Sequence, residues 1–140
     1  MSGLQLSALF LFLLNTAGLL LHSQLIPRGR IRAGMFCFYT NQSNLLLTVY
    51  ELLLLCAGFW PGGRLWAVLT DVRLSCAMAL YIWVTHLIYQ FVLVPEQKRK
   101  GQRFADFGGS FGNLCVHYGT PWLVVGQWLL WGNKAGLTAA

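Results

Sequence analysis

Four long apolar runs, at 4–21, 34–60, 74–94 and 112–131, alternate with short polar stretches along the chain. Each run is long enough for a helix across a hydrocarbon core of about 30 Å, which takes about 20 residues. The first run has no Lys or Arg before it and no small-x-small site after it. It therefore reads as a retained span rather than a signal peptide, with Asn15 and Thr16 turned towards neighbouring helices. Pro27 and the arginines of "PRGRIR" form the first turn, and "PGGR" breaks the second run after Trp60. A weakly apolar link at 65–71 leads to the third run. The loop "PEQKRKGQRFADFGGS" separates the third run from the fourth, and the tail "GNKAGLTAA" is short. There is no internal repeat, so the pattern predicts one integral membrane domain over 1–140: an all-α, polytopic bundle of four transmembrane helices.

Composition agrees. Of 140 residues, 56% are hydrophobic and only 10% charged, against about a quarter charged in soluble domains. A soluble catalytic domain has no room, so any chemistry falls to residues within or beside the bilayer. The net charge of +6 comes from loop residues without interleaved aromatics, which excludes a base-stacking nucleic-acid surface and points to membrane lipids as partners. Arg28, Arg30, Arg32, Lys98, Arg99, Lys100 and Arg103 lie in the first and third loops, and only Arg64, Arg73 and Lys134 on the other side. Loops 22–33 and 95–111 are thus expected to be cytoplasmic, with both termini outside and the protein in the inner (plasma) membrane. Cys37, Cys56, Cys76 and Cys115 all lie within apolar runs and read as small packing residues.

The informative side chains are the polar ones inside the runs. On a helical wheel Thr40, Asn41, Asn44, Thr48 and Glu51 share a stripe about 100° wide, which must face other helices or a cavity. Gln42 and Ser43 fall off it and are expected to make local contacts. Glu51 lies about 25 Å along the run, where pairing with Arg64 or Arg73 is expected. Thr40 is about 9 Å, His117 about 7.5 Å and His86 about 12 Å from the same membrane face, so a hydroxyl and two imidazoles are predicted at similar depth. A threonine needs a base to become a nucleophile, and neutral histidine is the usual one. His86, His117 and Cys115 have no zinc-ligand spacing, so no metal is expected, and no cofactor.

Three segments, "FCFYTNQSNLLLTVYELL", "VRLSCAMALYIWVTHLIYQFVL" and "NLCVHYGTPWLVVGQWLLWGNKAG", resemble the second, third and fourth spans of bacterial membrane proteins related to the androgen-induced gene family (FAR-17a type). The eukaryotic members of that family are intramembrane threonine hydrolases of fatty-acid esters. The resemblance implies Thr40, after its aromatic stretch, as nucleophile and His117, four residues after Asn113, as the essential histidine. The family has six spans where this chain shows four, and Gln127 stands where many bacterial relatives carry Asp.

The expected function is hydrolysis of lipid or fatty-acid esters by a Thr40–His117 pair. Asn41, Asn44 and Asn113 would orient the pair or stabilise an oxyanion. His86, Tyr39 and Tyr118 would line the substrate pocket. The alternative is a non-enzymatic membrane protein, a small transporter subunit or scaffold, in which the polar stripe is bundle packing. A homo-oligomer is compatible with either.

Overall fold

The computed structural model describes residues 1–29, 34 and 38–134, and 81% of these are helical with no strand among them. Helix α1 spans Gly3–His22, α2 Leu25–Arg28, α3 Tyr39–Ala57 and α4 Arg64–Leu69. Helix α5, Val72–Ile88, runs through a π-helical turn at Tyr89–Leu93 into α6, Val94–Arg99. After α7, Phe104–Phe107, the chain enters α8, Phe111–Leu114, a second π-helical turn at Cys115–Gly119, and α9, Thr120–Trp131.

Local chemistry sets the ends. A capping box opens α1: Ser2 Oγ accepts from the Gln5 amide, and Gln5 Oε1 accepts from the Ser2 amide at 2.8 Å. Both π-helical turns stand just before a proline, Pro95 and Pro121. Proline has no N–H for the carbonyl four residues back, and the helix accommodates the lost bond by widening to the π pattern.

The bundle is up-and-down. Gly58, just past the end of α3, lies against the Gln5 side chain, and Gly3 against Trp131, so the start of α1 meets the ends of α3 and α9. At the opposite end α1 and α8 are in close contact. A Cβ on Gly112 would meet the His22 amide nitrogen at 2.7 Å, and one on Gly18 would meet Cys115 Cβ at 2.7 Å. Small residues at such crossings let helix backbones approach, and this one brings His22 beside the last helix.

The molecule is apolar outside and partly polar within. Ala8, Leu11, Leu47, Leu54, Ile82 and Val124 form the core. Leu6, Phe10 and Leu13 of α1, Leu45, Leu46, Val49 and Leu53 of α3, Val84 and Leu87 of α5, and Leu129 and Leu130 of α9 are exposed. Asn15, Asn44, Glu51, Thr85 and Thr120 are almost wholly buried. Asn15 Nδ2 donates to the Asn44 carbonyl at 2.7 Å and to Thr48 Oγ1 at 2.8 Å, and Thr120 Oγ1 donates to Asn15 Oδ1, joining α1, α3 and α9.

Among the described residues, two helical stretches are long and apolar enough to cross a membrane, Gly3–His22 and Val72–Arg99. Polar residues dilute both α3 and the last run, where Asn113, His117 and Gln127 interrupt the apolar sequence.

Several expectations change. Ser43 does not stay local: it is fully buried and hydrogen-bonded to Thr85 of α5 at 2.8 Å. Glu51 makes no ion pair with Arg64 or Arg73, which are both exposed; Gln127 Nε2 donates to it at 3.1 Å instead. The link at 65–71 is largely helix α4, and the loop at 95–111 carries α6 and α7. Arg30, Arg32 and Cys37 lie outside the described residues.

Candidate functional site

Thr40 sits in the first turn of α3, and its carbonyl is held from two sides. Ser43 Oγ donates to it at 2.9 Å and Asn44 Nδ2 at 2.8 Å. Ser43 has one hydroxyl proton and spends it there, so in the Ser43–Thr85 bond Thr85 is the donor. The Asn44 amide has a second proton, which goes to the Val116 carbonyl at 3.2 Å. One buried NH₂ group thus ties the Thr40 turn to the residue before His117.

His117 lies in the second π-helical turn, and its ring stacks on that of Tyr89 from the first, with centroids 3.7 Å apart and planes 19° from parallel. Asn113 braces Tyr89, its Nδ2 donating to Tyr89 Oη at 2.7 Å and to the Gly108 carbonyl at 3.0 Å. The His22 ring meets His117 edge-on at 5.8 Å. His117 Nδ1 is buried without a hydrogen-bond partner among the described residues.

His86 supports His117 through the backbone. Pro121 has no N–H to give the His117 carbonyl four residues back, and His86 Nδ1 lies 2.8 Å from that oxygen. A carbonyl only accepts, so Nδ1 carries the proton. The ring is enclosed by Trp83, Tyr118 and Trp122.

A cavity of about 490 Å³ opens at this end of the bundle. Thr40, Asn41, Asn113, His117, His22, Gln24 and Ser110 supply its polar lining, and Leu21, Phe38, Leu93 and Phe107 its apolar lining. Of the residues singled out from sequence, Thr40, Asn41, Asn113 and His117 share this cavity. Asn44 lies behind it, joining two of its walls. His86, Tyr39 and Tyr118 are not in its lining: Tyr39 Oη donates to the Tyr81 carbonyl at 3.3 Å, and Tyr118 Oη to Gln90 Oε1 at 2.7 Å. The sequence reading missed His22. Its signal was the spacing of Asn15, Gly18 and His22, three and four residues apart, which puts all three on one face of α1.

No group of three or more metal-binding side chains comes together among the described residues. Compared with known protein families, curated proteins and solved structures, the chain matches none.

Proposed function

We propose that the protein is an intramembrane hydrolase of lipid or fatty-acid esters, with Thr40 as nucleophile and His117 as base. The observation that carries this reading is that Thr40 and His117, on different helices and 77 positions apart in the chain, line one cavity with two asparagine side chains. In the proposed reaction Thr40 Oγ1 attacks the ester carbonyl carbon while His117 takes the hydroxyl proton. The proton passes to the leaving alcohol as the ester C–O bond breaks. Water, deprotonated by His117, then cleaves the acyl–threonine ester and regenerates the hydroxyl. Asn41 and the Tyr39 and Thr40 N–H groups at the start of α3, which a helix leaves without intrahelical acceptors, are the donors for the oxyanion, while Asn113, with both amide protons given to Tyr89 and Gly108, holds the His117 side of the cavity. The resemblance to the androgen-induced gene family belongs to the same proposal and selects the same two residues.

The membrane setting is a four-span bundle, supported by exposed apolar side chains on α1, α3, α5 and α9 around a hydrogen-bonded polar interior. The loop charges orient the cavity end towards the cytoplasm, in the inner membrane.

One observation favours the scaffold reading for part of the stripe. Asn44 and Thr48 make interhelical bonds of the kind that hold a bundle together, whereas Thr40 and Asn41 line the cavity. A fluorophosphonate ester probe separates the readings. Labelling of the wild type, lost in Thr40→Ala at unchanged expression, supports the hydrolase; absence of labelling in both leaves the scaffold.

A further inference from the structure

A second cavity, of about 260 Å³, opens at the other end of the bundle between α3, α4, α5 and α9. Tyr50, Trp66, Trp128 and Trp131 contribute to its walls, and no lysine or arginine lines it. Gln127 is part of the lining, and Glu51 stands behind Gln127, accepting from its Nε2 at 3.1 Å. Glu51 is wholly buried, and no cationic side chain pairs with it among the described residues. Its Oε1 has no hydrogen-bond partner among them. Buried carboxyl groups are ordinarily paired, and an ionisable side chain within a membrane bundle is a mark of function.

The chain also places its own ammonium at this end. Lys134 Nζ stands 5.4 Å over the Trp128 ring and donates to the carbonyls of Trp128, Leu129 and Gly132 at the end of α9. Three features therefore favour positive charge here: aromatic faces, the negative end of the α9 dipole and the unpaired Glu51 carboxyl. A small metal ion needs several oxygen ligands at close range. The aromatic and aliphatic walls, with the Glu51 carboxyl set back behind Gln127, suit a weakly hydrated organic cation instead.

We propose that this cavity binds an organic ammonium group of choline size, held over the tryptophan faces and balanced by Glu51, with Lys134 as a tethered competitor. The site lies at the opposite end from Thr40 and His117 and does not depend on the hydrolase reading. The test is a tryptophan-fluorescence titration of the full chain in a maltoside detergent, using choline and its uncharged carbon isostere, dimethylbutanol. Saturable choline binding is expected, with the isostere at least ~10-fold weaker. Glu51→Gln should weaken choline ~10-fold without changing the isostere, and Lys134→Gln should tighten choline several-fold. Absence of saturable choline binding, equal affinity for the two ligands, unchanged affinity in Glu51→Gln or weaker binding in Lys134→Gln would each overturn the proposal. Lys134 is exposed, so its variant keeps the test decisive if Glu51→Gln does not fold. Repeating the titration in vesicles of phosphatidylcholine and of an uncharged galactolipid, neither with a net surface charge to concentrate choline, identifies the source of the ammonium. Lower apparent affinity in phosphatidylcholine assigns a lipid headgroup; equal affinity assigns a free ammonium.

Discussion

His86 donates a hydrogen bond to the backbone carbonyl of His117, at the position where Pro121 leaves that carbonyl without its helical partner. A proline in the last helix and a histidine on α5 thus act as one device for holding the His117 turn. Removing the donor strands a buried acceptor, which costs about 1–3 kcal/mol. His86→Leu should therefore lower the melting temperature of the purified protein. His86→Gln, whose amide can donate to the same oxygen, should recover most of the loss, with hydrolytic activity following stability in both variants.

Asn44 gives the sharpest contrast with Thr40. Its amide serves the carbonyls of Thr40 and Val116, so Asn44→Ala removes the donor of two bonds inside the bundle, at about 1–3 kcal/mol. The structural bonds of Thr40 run through its carbonyl, which Thr40→Ala retains. Thermal denaturation should show Asn44→Ala clearly destabilised and Thr40→Ala close to wild type. A large loss in Thr40→Ala would make its side chain structural and count against the nucleophile assignment.

The apolar runs and the polar stripe were legible because each follows one helical period. The helical wheel groups Thr40 with Asn41 and Asn44, and the depth count brings Thr40 and His117 to one level; Thr40, Asn41 and His117 line one cavity, with Asn44 behind it. What stayed hidden depends on features with no period. Ser43 was placed off the stripe, yet a bundle helix has neighbours on more than one side and α5 offers Thr85 there. Glu51 was matched to arginines by loop position, while its actual partner, Gln127, lies 76 residues away on another helix. The π-helical turns were signalled only by Pro95 and Pro121. Tyr118, one residue and about 100° round the helix from His117, bonds Gln90 outside the cavity lining.

The Glu51–Gln127 contact predicts an asymmetric pair of variants. Gln127→Leu deletes the amide that donates to Glu51 Oε2 and to Ser7 Oγ, leaving a buried carboxyl without a donor. The penalty should be about 1–3 kcal/mol, as for a buried polar group left unpaired. Glu51→Gln removes the charge but keeps an oxygen acceptor, so it should be tolerated or stabilising. Chemical or thermal denaturation in detergent measures both. Equal losses in the two variants would mean that the carboxyl is balanced by something other than Gln127.

The charge bias of the loops predicts sidedness. A single reporter cysteine at Gly62 in a cysteine-free background should react with an impermeant maleimide added to sealed cells. One at Gly101, beyond the Lys98–Arg99–Lys100 cluster, should react only after permeabilisation. Both glycines have open space where a side chain would go; Gly101 has φ of 77° and carries some backbone strain as cysteine. Labelling of both from outside would reverse the assignment of the cavity end to the cytoplasm.

The two imidazoles of the cavity should differ in what they contribute. If His117 takes the Thr40 proton, His117→Gln keeps much of the ring's volume against Tyr89 but loses the base, and turnover should fall ~10²–10⁴-fold. His22 meets His117 only through ring edges, and its backbone is pinned by Gly112. His22→Gln should therefore cost less than ~10-fold, seen mainly in substrate affinity because the residue lines the cavity. Tyr89→Phe supplies the control: it keeps the stacked ring but removes the hydroxyl that accepts from Asn113. A modest loss of activity is expected there, with a melting temperature lowered by the stranded amide. The decisive measurement is the ranking of kcat for ester hydrolysis across the three variants at matched folded fraction. A larger kcat loss in His22→Gln than in His117→Gln would move the base to α1 and leave His117 as part of the wall.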